Sequence, residues 1–226
     1  MCGIVSYIGA QDPIPILIKG LRRLEYRGYD SAGLALLSEN NLNVIKKAGK
    51  VSELSDKVSS NPIQGNCGIA HTRWATHGVP NDLNAHPHLD KTGKIALVHN
   101  GIIENHNSIK KTLEGRGVDF KSETDSEVLV QLISELYYNG EGDLDFKDAV
   151  KAALQEVVGA YGIVAMCSDE QNTLVAARMG SPLVFGVGDD EFLFASDASP
   201  IIEHTRNVIY LDDGEFVIVN GSDYSI

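Results

Sequence analysis

Short apolar runs, separated by connectors too brief to hold more than a turn, restrict the fold of this chain more than any other feature. Strand-like runs cover Gly3 to Ile8, Gly33 to Leu37, Asn43 to Lys47, Gly68 to Thr72, Ile95 to His99, Gly162 to Cys167 and Thr173 to Ala177. Leu183 to Val187, Phe192 to Ala195, Val208 to Leu211 and Phe216 to Val219 follow. Polar stretches at Ser38 to Asn41, Ser168 to Asn172, Gly188 to Glu191 and Asp212 to Gly214 read as hairpin turns. Connectors this short require antiparallel neighbours, because a parallel crossover needs roughly a dozen residues. Helical spacing appears in fewer places. Ile14, Leu17, Ile18, Leu21 and Leu24 follow Pro13; Val128, Leu129, Leu132, Ile133 and Leu136 form a second set; Phe146, Val150, Ala153, Leu154 and Val157 form a third. Asn105 to Glu114 is a weaker fourth. Strands and helices come in blocks rather than alternating, which predicts an α+β chain of antiparallel sheet with helices on its outer faces. Two sheets packed together between helical layers accommodate so many strands that are apolar on both faces. With no repeat or low-complexity linker, residues 1–226 read as one domain.

The second residue is a cysteine directly behind the initiator Met1. Removal of Met1 leaves a thiol and a free α-amine on one residue. A free thiol titrates near ~8.5 and an α-amine near ~7.7–8.0, so little thiolate exists at pH 7 and the amine is a suitable proton acceptor during attack. The structural alternative is that Cys2 is merely the edge of a buried strand.

Other residue groups have the types that chemistry needs. His71-Thr72-Arg73-Trp74-Ala75-Thr76-His77-Gly78 closes a strand-like run on glycine, as a site loop does. Arg73 offers a planar fork for a carboxylate, or a surface ion pair. Trp74 is the only tryptophan and could equally be core. Asn100-Gly101 offers a side-chain amide beside a backbone N–H, a two-donor oxyanion hole, or else a tight turn. The flanking Ile102-Ile103-Glu104-Asn105 does not read as the return strand of such a turn. Thr124 with Glu127 fits a capping box, and Asp125 is either a first-turn carboxylate or a receiver for an ammonium group. Arg27, in Tyr26-Arg27-Gly28-Tyr29-Asp30-Ser31-Ala32-Gly33, either supports the N-terminal segment or caps a helix. His86-Pro87-His88, with His71, His77 and His99, is not completed into a ligand set, so no metal and no cofactor is expected.

Charge narrows the partners. Nineteen basic against 31 acidic residues give a net charge of -12, which argues against nucleic acid and anionic membranes. No apolar stretch approaches the ~20 residues of a membrane span, and the first residues lack the form of a signal peptide. Three widely spaced cysteines suit a reduced, cytoplasmic protein.

Taken together, Cys2-Gly3-Ile4-Val5, the Tyr26-to-Gly33 and His71-to-Gly78 runs, His99-Asn100-Gly101 and Ser122-Glu123-Thr124-Asp125 resemble class II glutamine amidotransferase domains. The two longer runs narrow the resemblance to the glutaminase domain of the isomerising sugar-phosphate amidotransferases. It extends through Ala177-Arg178-Met179-Gly180-Ser181-Pro182-Leu183. The resemblance implies an N-terminal-nucleophile hydrolase fold, a four-layer αββα sandwich. It implies attack by Cys2 on the side-chain amide of L-glutamine, with Asn100 and Gly101 stabilising the oxyanion. Arg73 would hold the α-carboxylate and Asp125 the α-ammonium, with Trp74, Thr76 and His77 lining the pocket and Arg27 ordering the N-terminal region. In the longer enzymes a sugar isomerase domain receives the ammonia and turns fructose-6-phosphate into glucosamine-6-phosphate. Nothing up to Ile226 resembles that half, so the expectation is glutaminase activity alone, with ammonia released to solvent. Two rivals remain: another N-terminal cysteine amidase, and a non-catalytic domain of the same fold.

Overall fold

The computed structural model describes residues 2–39, 41–75, 78–140 and 144–226. Strand β1 (Gly3–Gly9) leads to helix α1 (Pro13–Leu24), a 3₁₀ turn (Glu25–Arg27), β2 (Ser31–Ser38) and β3 (Asn41–Ala48). Helix α2 (Val51–Ser60), β4 (Cys67–Arg73), β5 (His88–Leu89) and β6 (Ile95–Ile103) come next. Three helices follow, α3 (His106–Glu114), α4 (Asp125–Asn139) and α5 (Phe146–Gln155). The chain closes with β7 (Gly159–Cys167), β8 (Thr173–Met179), β9 (Val184–Val187), β10 (Glu191–Ala195), β11 (Val208–Tyr210), β12 (Phe216–Asn220) and β13 (Asp223–Ser225).

These strands make two antiparallel sheets. One has seven strands in the order β11-β9-β10-β1-β4-β2-β3, and the other six in the order β13-β12-β8-β7-β6-β5. Alternation along each strand sends one set of side chains between the sheets and the other outward. Ile4, Ile8, Ile69 and Phe194 of the first sheet meet Ala96, Val98, Val164 and Val217 of the second in a shared core. Val5, Tyr7, Leu34 and Leu36 face the other way, onto Leu17, Leu21 and Leu24 of α1 and Val51, Leu54 and Val58 of α2. Leu97, Ile163 and Val175 likewise pack on α4 and α5 through Leu129, Ile133, Phe146 and Val150. The layers are therefore helix, sheet, sheet, helix, the sandwich expected from two-faced strands. Each leucine so buried contributes roughly 1.5–3 kcal/mol of transfer free energy.

Helix starts follow their side chains. Asp12 accepts a hydrogen bond from Ile14 N at 3.0 Å ahead of Pro13, and Asp145 accepts from Asp148 N at 3.1 Å. Thr124 accepts from Glu127 N at 3.2 Å. The expected capping box is only half formed, because the Glu127 carboxylate reaches back to Lys121 N and Ser122 N instead of the Thr124 amide.

The structure corrects other expectations. Asp212-Asp213-Gly214 is a turn, closed by Glu215 N onto Asp212 O at 3.1 Å, but not a hairpin. Its flanking strands belong to different sheets, β11 beside β9 and β12 beside β8. A short connector can carry a chain around a corner between packed sheets as easily as back along one. Asn100 and Gly101 do not follow a strand; they lie inside β6, paired with Gly162 and Tyr161. His71 to Arg73 lie inside β4. Helix α2 and strands β5 and β13 have no counterpart in the sequence reading.

Candidate active site

Strand periodicity builds the site. Beyond Ile4, Ile69 and Val98 the inward-facing stripe turns polar, with Cys2 just ahead of β1, His71 and Arg73 next on β4 and Asn100 next on β6. The inter-sheet core thus opens at one end into a cavity of about 260 Å³. Cys2, Arg27, Arg73, Trp74, Asn100, Gly101 and Asp125 all line it, together with His86, His99, Ile102, Thr124, Ser126, Ser181 and Pro182. Every described residue singled out in the sequence for chemistry is there. Thr76, His77 and Met1 lie outside the described residues.

The Cys2 sulfur accepts from Trp74 N at 3.2 Å and lies 3.5 Å from Trp74 O. Burial pushes its thiol up from the ordinary range, while the Trp74 N–H and the Arg73 charge pull it down and Asp30 pushes it up again. Burial dominates, so the resting group is a thiol and its proton must leave as the bond forms. Asn100 Nδ2 donates to Cys2 O at 3.1 Å, joining the nucleophile's backbone to the middle of β6.

Gly101 has φ +131, and an added Cβ would stand 1.9 Å from Ala160 O on the paired strand β7. Only glycine fits there. Gly28 has an ordinary φ and is required for another reason: a Cβ would stand 2.6 Å from the Arg73 carbonyl carbon. Through that close approach the Tyr26-to-Gly33 connector braces the end of β4, where Thr72 Oγ1 donates to Gly28 O and Ala75 N donates to Asp30.

Two buried charges of opposite sign line the cavity. Arg73 is 3% exposed and Asp125 4% exposed. Asp125 sits in the first turn of α4, where one carboxylate oxygen accepts from Ile103 N at 2.8 Å. Burying charges is costly unless each is matched, and a zwitterion would match both. Arg27 Nη1 donates to Ser196 O at 3.0 Å. Ser196 is itself bonded to Ile4 in both directions, its Oγ accepting from Ile4 N and its N donating to Ile4 O. Arg27 therefore braces the N-terminal strand one step removed. Trp74 is half exposed and meets Tyr29 edge-on at 5.5 Å.

The sequence reading gave no site role to His86 or His99, which line the cavity, nor to His71 and His88 beside them. All four are buried. His99 Nδ1 is 2.8 Å from Ser126 Oγ and His88 Nε2 is 3.0 Å from Thr124 Oγ1, tying the sheet to the start of α4. Burial holds His86 and His88 well below the usual imidazole range, so both are neutral. Among the described residues no three His, Cys, Asp or Glu side chains are gathered as a metal centre requires.

Residues 55–217 match the family model described as a glutamine amidotransferase domain. A glutamine–fructose-6-phosphate aminotransferase (isomerizing) of Bacteroides thetaiotaomicron is 56% identical over 221 residues, 97% of this chain and 36% of that protein. Its namesake from Chlorobaculum tepidum is 53% identical, over all of this chain and 37% of that protein. The chain thus spans about a third of the length of these relatives. Among solved structures, the glutamine phosphoribosylpyrophosphate amidotransferase of B. subtilis superposes with a TM-score of 0.85 at 26% identity, covering 99% of this chain and 48% of the other.

Proposed function

The chain belongs to the glutamine amidotransferase domain family, and from that membership we propose that it hydrolyses L-glutamine to glutamate and ammonia through a thioester at Cys2. One observation carries this: a single cavity holds the Cys2 thiol, the Asn100 and Gly101 donors and two buried charges, Arg73 and Asp125. A free amino acid presents a carboxylate and an ammonium to that pair, and its side-chain amide is the group left to meet the thiol.

The α-amine of processed Cys2 takes the thiol proton as sulfur bonds to the amide carbon. Negative charge collects on the amide oxygen. Asn100 has two amide hydrogens; one serves the Cys2 carbonyl, and the other serves this oxyanion with the Gly101 N–H. The proton held by the amine passes to the departing nitrogen, ammonia leaves, and a glutamyl thioester remains. Water, deprotonated by the same amine, adds to the thioester and releases glutamate. Trp74 completes the pocket wall, and Arg27 keeps β1 in place. In the longer enzymes that the relatives' names describe, fructose-6-phosphate is the acceptor of the nitrogen. We extend that to this chain joined to a sugar isomerase domain, working in the cytoplasm. No described helix is long and apolar enough to cross a membrane.

Substrate choice tests the charge pair. The kcat/KM for glutamine is expected to exceed that for Nα-acetylglutamine amide by on the order of 10² or more, since two charge-assisted contacts are lost. Asp125→Asn, which keeps an oxygen for Ile103 N, should raise KM for glutamine about tenfold or more and narrow that gap. Equal rates on both amides would point to a different N-terminal cysteine amidase. Processing tests the base. Protein shown by intact mass to retain Met1 should be inactive, because its Cys2 nitrogen is an amide and cannot accept a proton. Full turnover with Met1 attached refutes the mechanism.

A further inference from the structure

We propose that His71 is the positioning residue of the oxyanion site: its Nε2–H holds the Asn100 amide with Oδ1 away from the nucleophile and the NH₂ turned toward it. This rests on the glutaminase reading above and adds a residue to it.

Hydrogen-bond chemistry fixes each step. His71 Nε2 lies 3.2 Å from the backbone oxygen of His99. A carbonyl oxygen only accepts, so Nε2 must carry a hydrogen. The same nitrogen lies 3.0 Å from Asn100 Oδ1. Were that amide turned over, two N–H groups would face each other in a buried place. The amide oxygen therefore points at His71, which leaves Nδ2 to donate to Cys2 O at 3.1 Å. A main-chain carbonyl sets the tautomer, the tautomer sets the amide, and the amide sets the oxyanion donor.

The surroundings keep this arrangement from switching. His71 is fully buried on β4, and burial lowers its pKa to about 3, the Asn100 hydrogen bond opposing that fall. It is a neutral donor at every working pH. Its ring stacks on His86 at 4.1 Å, which holds the plane. The price is visible at the other nitrogen: Nδ1 is buried with no hydrogen-bond partner among the described residues. An apolar side chain would pack there without leaving a polar atom unsatisfied. Retaining an imidazole at that site is explained by what Nε2 does. The bond also joins β4 of one sheet to β6 of the other, so it holds the two halves of the site at one separation.

His71→Leu removes the donor. Expected is a fall in kcat of about 10- to 100-fold with KM changed less than about threefold, a smaller loss than the ~10²–10³ for deleting an oxyanion donor outright. Alkylation of Cys2 by iodoacetamide, which develops no oxyanion, should keep its rate. In an Asn100→Ala background His71→Leu should change kcat less than about twofold, because residues acting through one another are not additive. His71→Gln, which returns an N–H, should recover most of the loss. An unchanged kcat in His71→Leu overturns the proposal, as do the same fold-loss with and without Asn100 or alkylation that slows in step with kcat. Should the leucine variant not fold, a folded His71→Gln as slow as Asn100→Ala overturns it equally. Nitrogen-15 NMR of the wild-type protein reads the His71 tautomer whatever the substrate: an Nδ1–H form overturns the proposal without touching the glutaminase reading. Absence of glutamine hydrolysis by wild type sinks that reading instead.

Discussion

Replacing Cys2 with alanine is expected to lower glutamine hydrolysis by a factor on the order of 10⁶, as loss of a nucleophile does where catalytic groups act as a unit. The substitution removes sulfur and little else. Asn100 bonds to the backbone oxygen of Cys2, and alanine keeps that oxygen. Trp74 N loses its sulfur acceptor, but the Arg73 and Asp125 charges stay in the cavity, so glutamine should bind the variant with an affinity within a few-fold of wild type by calorimetry. No other sulfur can take over. Cys67 and Cys167 are fully buried, and burial pushes their thiols up to about 12 and about 11. Ammonia release by purified, Met1-processed Cys2→Ala at more than about a thousandth of the wild-type rate would move the nucleophile elsewhere and remove the basis of the mechanism.

Gly101→Ala is the second large effect, and it acts on stability and rate together. The new methyl would occupy the place of Ala160 O, 1.9 Å from its own ideal position, on a backbone already at φ +131. β6 and β7 must part where Gly101 pairs with Tyr161. Expected are a destabilisation of roughly 2–4 kcal/mol in urea unfolding and a kcat loss of at least ~10²–10³, because Asn100 and the Gly101 N–H both move. Since Arg73 and Asp125 sit on other elements, glutamine binding should suffer less than turnover. A folded variant with wild-type kcat would exclude the Gly101 N–H from the oxyanion site.

Much of this fold was legible because strand and helix periods are written in single residues. A near-continuous apolar run over Gly3 to Ile8 or Gly162 to Cys167, closed by a turn, needs no partner to be recognised. Helix α2 was passed over because only Val51, Leu54 and Val58 are buried in a run of serines and charges, and Lys50 makes no side-chain cap to announce its start. Strand β13 is exposed throughout and β5 has two residues, so neither shows a pattern. The Asp212 turn was misread because spacing tells that a chain reverses, not which sheet receives it. For the site, residue types were legible at Arg73, Asn100 and Asp125, since a guanidinium, an amide before glycine and a first-turn carboxylate each have few uses. What brings Cys2 beside Trp74 and Asn100 is strand order, which couples residues 72 and 98 positions apart. His71 shows the limit of sequence reading most clearly. Its role depends on which ring nitrogen faces a carbonyl of the opposite sheet, and no spacing rule records that.

Strand β1 also sets a schedule for the growing polypeptide. Its neighbours are β4 and β10, with Val5 opposite Ala195 and Ile4 bonded to Ser196. One flank of the N-terminal strand is therefore missing until β10, as far along as Ala195, has left the ribosome, some ten seconds or more at about 5–20 residues per second. For that interval the amino end hangs loose, open to the peptidase that trims it, while its sulfur has no finished pocket in which to split an amide. On the proposed mechanism trimming is easiest before docking and catalysis begins only after it, so a chain that stops short of β10 is expected to release no ammonia.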